Sequence, residues 1–107
     1  MNTKYYRPLP EIVTIKESEI EGLGLFANHQ IINDDHIGYT HIYFDGFPNN
    51  YIRLPLGGFI NYSDTPNCKL IDIKYNWITP ALYLVAIKDI NPGEELTLKY
   101  KLYNPEE

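Results

Sequence analysis

The chain has 107 residues, 44% of them hydrophobic and 21% charged, with a formal net charge of −5. That length favours one domain over residues 1–107, and the composition excludes a disordered chain. The acidic balance disfavours a nucleic-acid partner, whose phosphates demand Lys and Arg, and suits a basic protein or peptide.

No apolar run is long enough to span a bilayer, so no membrane partner is expected. The opening stretch MNTKYYRPLPEIV lacks the apolar core of a secretory signal, which makes the cytoplasm the default location. Cys68 is the only cysteine, which removes an internal disulfide and a thiolate zinc cluster. His29, His36 and His41 lack metal-ligand spacing with acidic partners; they read as surface or loop histidines, and no metal is expected.

In chain order the pattern is β-rich and heavily punctuated by turns. Ile12 to Lys16 reads as a first strand. DGFPNN, Asp45 to Asn50, is a loop by composition. From Leu70 to Trp77 the residues Ile71, Ile73, Tyr75 and Trp77 alternate with Asp72, Lys74 and Asn76, a period of two. Trp77 falls on the apolar side and is assigned to the core. Thr79-Pro80 reads as a turn, and ALYLVAIKDI as a second apolar segment, the two forming a hairpin. Asn91-Pro92-Gly93 sets Pro and Gly at the central positions of a type II turn. After it, Leu96, Leu98, Tyr100 and Leu102 alternate with Thr97, Lys99, Lys101 and Tyr103, giving a last strand with one buried face. No long amphipathic helix is visible, so any helix is short.

Three stretches stand out. In EGLGLFA, Glu21 to Ala27, Gly22 and Gly24 flank Leu23; such glycines permit positive φ or close approach to a ligand, and an ordinary turn before a strand explains them equally. In GGFINYSDTPNCKL, Gly57 to Leu70, an apolar anchor opens into Asn61-Tyr62-Ser63 and then Pro66-Asn67; a polar surface loop is the competing reading. INPGEELTLKY, Ile90 to Tyr100, is by itself a turn and a strand with an acidic start. Asp64 and the Glu94-Glu95 pair fall at turns, where solvated carboxylates are expected.

In this order and at these intervals, the three stretches resemble a SET domain, the β-rich fold of protein lysine methyltransferases. FINYSDTPNC is similar to the family's Asn-His-Ser-x-x-Pro-Asn motif, and NPGEELTLKY to its Gly-Glu-Glu-Leu-Thr strand ending in a catalytic tyrosine. The resemblance runs from about Ile12 to Tyr103. It implies a mainly β fold of short strands in small sheets, with a knot-like C-terminal threading and little helix. It also implies S-adenosylmethionine (SAM) as cofactor. Asn61 would bind the amino group through its side-chain oxygen, and Tyr62 would meet the adenine through its backbone. Gly22, Leu23 and Gly24 would pass the methionine portion, and Tyr100 would be catalytic.

Tyrosine accounts for 10 of the 107 residues. Tyr39, Tyr43 and Tyr103 are candidate walls of a lysine channel, weighed against simple packing. Two positions depart from the family pattern: Tyr62 stands where a histidine is usual, and Lys99 where an aspartate precedes the tyrosine. The absence of cysteine-rich flanks resembles the minimal virus-encoded members, which implies a homodimer and, for a virus-encoded chain, the host cytoplasm. The expected activity is SAM-dependent lysine N-methylation of a basic protein or peptide. A catalytically weak SET-like module that binds a partner is the alternative that Tyr62 raises. An aromatic-rich, carbohydrate-binding β-domain would leave the three ordered motifs unexplained.

Overall fold

The computed structural model describes residues 9–46 and 50–99. Eight strands are present among them: β1 (Val13–Glu17), β2 (Leu23–Ala27), β3 (His36–Tyr43), β4 (Tyr51–Arg53), β5 (Asn61–Tyr62), β6 (Cys68–Tyr75), β7 (Thr79–Ala86) and β8 (Glu95–Leu98). A 3-10 turn, Pro55–Gly58, separates β4 from β5. The fold is therefore mainly β in small sheets, as the sequence implies.

The strands form two four-stranded sheets, ordered β1-β2-β8-β5 and β4-β3-β7-β6. The chain alternates between them. After the β1–β2 hairpin it crosses to lay down β3 and β4, returns for β5, crosses again for the β6–β7 hairpin, and returns for β8. β5 and β8 run parallel, with Asn61 opposite Thr97 and Tyr62 opposite Leu98. Parallel neighbours need a long crossover; here the whole β6–β7 hairpin supplies it instead of a helix. β8 thus arrives late and fits between β2 and β5. Residues 100–107, where the knot-like threading would finish, lie outside the described residues.

Period-two alternation places the core. Val13, Leu25 and Leu96 of the first sheet, each fully buried, pack with Ile37, Cys68, Leu84 and Ala86 of the second and with Leu56 of the 3-10 turn. Ile31 and Ile90, also fully buried, join the segments leading into β3 and out of β7 through reciprocal backbone bonds of 2.8 and 2.7 Å. The turn at Asn91-Pro92-Gly93 forms as expected: Gly93 has φ +90°, and Glu94 N–H donates to the Asn91 carbonyl at 3.0 Å.

The hairpin expected over residues 70–90 is present, but its turn sits earlier. β6 and β7 pair from Cys68 opposite Ala86 to Tyr75 opposite Thr79, so Thr79 and Pro80 belong to a strand. Pro80 is tolerated because it lies beyond Ile42–Ala81, the last partner pair between β3 and β7. The reversal is made by Asn76 and Trp77, both left-handed at φ 54° and 70°, with Ile78 N–H donating to the Tyr75 carbonyl at 3.3 Å. This corrects the core assignment of Trp77, which is 92% exposed at the tip. The alternation that names Ile71, Ile73 and Tyr75 does not extend past the strand's last residue.

His41 is a second correction, because it is buried in β3 rather than on a loop. Its Nδ1 lies 2.9 Å from Thr40 Oγ1, and that hydroxyl donates to the Leu82 carbonyl at 3.2 Å. A hydroxyl has one proton to give, so His41 Nδ1 is the donor of the pair. Burial, reinforced by the positive charge of Arg53, lowers its pKa from 6.5 to about 4. The unfolded chain therefore binds this proton more readily, and stability is lost as pH falls from about 6.5 towards 4. Urea unfolding between pH 7.5 and 4 is expected to show a loss of up to about 3 kcal/mol from this residue. His41→Gln should remove that component; an unchanged pH profile in the variant would contradict the assignment.

Candidate functional site

Strand register decides which side chains gather on the outer face of the first sheet. Lys16 lies opposite Gly24, Phe26 opposite Glu95, and Asn61 opposite Thr97. Since neighbours along a strand point to opposite faces, sending Val13, Leu25 and Leu96 into the core turns these six to the other face, where Gly24 and Thr97 are themselves buried. Glu95, expected at a solvated turn, is instead a half-buried strand residue.

Asn61 is the centre of the resulting cluster. Its Nδ2 donates to Glu95 Oε2 at 2.8 Å and lies 3.1 Å from Ser18 Oγ, 3.1 Å from the Glu21 carbonyl and 3.3 Å from the Leu23 carbonyl. A primary amide carries two N–H protons, so four acceptors outnumber its donors. Ser18 Oγ also donates to Glu95 Oε1 at 2.8 Å and accepts from Ile20 N–H at 2.9 Å, tying the β1–β2 turn to β8. The place is rich in lone pairs and carries a carboxylate. It suits a small cation with several N–H donors.

The Gly-x-Gly stretch has two separate jobs. Gly22 takes φ +50°, completing the turn in which Ser18 N–H donates to its carbonyl at 2.8 Å. Gly24 is needed for space, because a Cβ there would collide with the Glu95 carboxyl and press on Ser18. Leu23 between them remains about half exposed, as does Ile20 in the preceding turn.

Asn67 holds β8 from the other side. Its Oδ1 accepts from Thr97 N–H and its Nδ2 donates to the Glu95 carbonyl, both at 2.8 Å. One side chain thereby satisfies two backbone groups, as a neighbouring strand would. Cys68, the next residue, is buried, and desolvation raises its thiol pKa to about 12 against the opposing effect of a hydrogen bond with Thr97. It is a core group and not a thiolate nucleophile.

The other residues nominated from sequence are dispersed. Tyr62 points its ring outward, and its hydroxyl donates to Asp64 Oδ1 at 2.7 Å. Its backbone pairs with Leu98, so its tie to β8 is through the main chain. Tyr39 packs edge-on against Tyr75 and Tyr83 at 5.2 and 4.7 Å, and Tyr43 against Tyr51 at 6.1 Å. Those rings belong to the second sheet, whereas Asn61 belongs to the first. Tyr100 and Tyr103 lie outside the described residues. Ser18 and Glu95 were missed from sequence, although Glu95 alternates with Leu96 exactly as Thr97 does and that spacing could have found it.

Beside Glu95, an open groove of about 620 Å³ is lined by Lys16, Glu17, Glu19, Phe26 and Gly93. The Lys16 ammonium sits 5.2 Å from the centre of the Phe26 ring. Positive charge therefore reaches the same face, a few residues from the acceptor cluster.

With this geometry in place, comparison with known proteins gives the class. The SET domain family model matches residues 39–101. The chain belongs to the SET domain family. Over 45 residues it is 44% identical to the histone-lysine N-methyltransferase SETMAR of Mus musculus, an alignment covering 42% of this chain and 15% of that protein. The Rattus norvegicus SETMAR is likewise 44% identical over 45 residues, covering 14% of its length. The chain therefore spans only a small part of the curated relatives it matches. Among solved structures, a Plasmodium falciparum protein described as a candidate histone methyltransferase superposes with a TM-score of 0.70 at 21% identity, covering 88% of this chain and 96% of that one. The methyltransferase domain of human PR domain-containing protein 2 gives 0.64 at 19% identity, covering 87% and 79%. These two likenesses establish the fold.

Asn67→Ala tests the clasp on β8. It strands the Thr97 N–H and the Glu95 carbonyl, and the expected loss is about 2 kcal/mol in denaturant unfolding. A variant with the parental midpoint would mean that the clasp does not hold the strand.

Proposed function

We propose that this chain is a SAM-dependent protein lysine N-methyltransferase acting on a basic protein or peptide. The observation that carries the reading is the acceptor cluster around Asn61 Nδ2. Ser18 Oγ, the Glu21 and Leu23 carbonyls and the Glu95 carboxylate offer more lone pairs than the amide can use. The α-ammonium of SAM has the charge and the three donors that this surplus suits. Asn61 would turn its carbonyl oxygen to the same group, and Gly22, Leu23 and Gly24 would run beside the methionine portion. Lys16, in the adjoining groove, offers a partner for the carboxylate, and Tyr62 would meet the adenine by its backbone.

The cofactor supplies a methyl group on a sulfonium, which leaves as a thioether when the lysine nitrogen attacks the methyl carbon. The chain's task is to present a neutral amine in line with that bond. Free lysine has a pKa of about 10.4, so its ammonium must first lose a proton. A narrow aromatic channel lowers that pKa by desolvation, and tyrosine faces still accommodate the residual positive charge. By family position Tyr100 orients the amine and the methyl, with Tyr39, Tyr43 and Tyr103 as candidate walls. The net charge of −5 favours encounter with a basic substrate. Histones are the first substrates to try, since SETMAR carries a histone-lysine name.

The test is incubation of the purified chain with methyl-labelled SAM and core histones, with the labelled residue mapped. Label on lysine is expected. SAM binding without transfer to any protein of a lysate would favour the partner-binding module, and absence of SAM binding would overturn the methyltransferase reading.

Two variants sharpen this. Asn61→Ala is expected to weaken S-adenosylhomocysteine binding roughly ten- to hundredfold, the worth of a charge-assisted hydrogen bond, while parental affinity would move the cofactor elsewhere. Tyr100→Phe should fold and bind cofactor yet lose turnover, each tenfold fall equalling about 1.4 kcal/mol of barrier. Parental turnover in that variant would take the role from Tyr100.

A further inference from the structure

Strand β6 ends the second sheet: β7 lies on one side of it, and among the described residues no strand lies on the other. The phase of the ladder shows which of its backbone groups are left over. Ile87 N–H donates to the Asn67 carbonyl at 2.8 Å, continuing the β6–β7 register by one pair. Odd-numbered residues of β6 therefore bond to β7, and in an antiparallel ladder the alternate ones, Leu70, Asp72 and Lys74, aim N–H and C=O at the free edge. That edge has an apolar side as well. Ile71 and Ile73 are only half-buried, Tyr75 is 37% exposed, and the hairpin tip carries Trp77 and Ile78 at 92% and 79% exposure.

We propose that the β6 edge is the self-association surface of this chain, pairing antiparallel with β6 of a second copy about a two-fold axis at Ile73. The register follows from charge. Outward-bonding residues must meet outward-bonding residues, so the axis passes through a residue position. Centred on Asp72 it sets Asp72 against Asp72, and centred on Lys74 it sets Lys74 against Lys74. Centred on Ile71 it opposes no unlike charges. Centred on Ile73 it places Asp72 opposite Lys74 of the second copy, twice. Directly opposed charges of unlike sign stabilise a strand pair, and like charges destabilise it.

The same register sets Ile73 against Ile73 and Tyr75 against Ile71, covering the half-exposed apolar side. It also brings Lys69 of one copy to the tip of the other, within reach of the Trp77 ring. Lysines on an edge strand ordinarily deter pairing; here Asp72 supplies the complement that makes one register acceptable. The surface lies on the second sheet, whereas the Asn61 cluster lies on the first, and the inference stands whether or not the chain transfers methyl groups.

The test is sedimentation of the full chain over a concentration series, combined with charge reversal and cross-linking. A dimer is expected. Asp72→Lys should raise its dissociation constant by about tenfold or more through like-charge opposition, and adding Lys74→Asp should restore it to within about threefold of the parent. Ile73→Cys should form a disulfide-linked dimer on mild oxidation, because directly opposed residues come within bridging distance. Ile71→Cys should not, since the axis holds its two copies about four residues apart. Monomer at every concentration, a dimer indifferent to Asp72→Lys, failed rescue by the double reversal, or equal cross-linking of Ile71→Cys and Ile73→Cys would each overturn the proposal.

Discussion

The insertion of β8 between β2 and β5 is the constraint on which the rest of the molecule depends. β8 is four residues long, too short to hold its place by ladder bonds alone. Three attachments of different kind secure it. Leu96 is fully buried in the shared core, Asn67 bonds the backbone at Glu95 and Thr97, and Glu95 receives hydrogen bonds from Ser18 and Asn61. Each attachment comes from a different part of the chain, so β8 reports whether the β1–β2 turn, the 61–67 segment and the core are all in register.

That same convergence builds the candidate site. Gly24 has no Cβ, which lets Glu95 approach β2; Glu95 then draws in Ser18 and Asn61. A half-buried carboxylate costs solvation, and two hydrogen bonds offset part of that cost. A bound ammonium would offset more. The cluster thus couples fold to ligand: the groups that close the sheet are those that offer lone pairs to a cation. Gly22 and Gly24 matter for distinct reasons, one for backbone conformation and the other for space.

How much of this was legible in the sequence depended on the range of the interaction. Local rules served well. The Asn91-Pro92-Gly93 turn, the 70–90 hairpin and the apolar side of β8 follow from turn chemistry and alternation. They failed where two local signals competed. Thr79-Pro80 is a strong turn signal, but Asn76 and Trp77 adopt the left-handed conformation that a tight hairpin favours and take the turn instead. Trp77 then stands in water, although its spacing matched a buried face. His41 gave no sequence cue for burial, because its neutrality is imposed by the surrounding core and by Arg53, which only the folded chain brings together. Asn61 was nominated through the family motif, yet Ser18 and Glu95 were not. Their meeting joins residues 77 positions apart, which no local pattern encodes.

The central claim is that the lone pairs around Asn61 receive the amino group of an adenosyl amino acid. Calorimetric comparison of S-adenosylhomocysteine with its deaminated analogue addresses that contact and leaves the protein untouched. Removing the amino group should weaken binding roughly ten- to hundredfold, the worth of hydrogen bonds to a charged donor. Equal affinity for the two ligands would contradict the account.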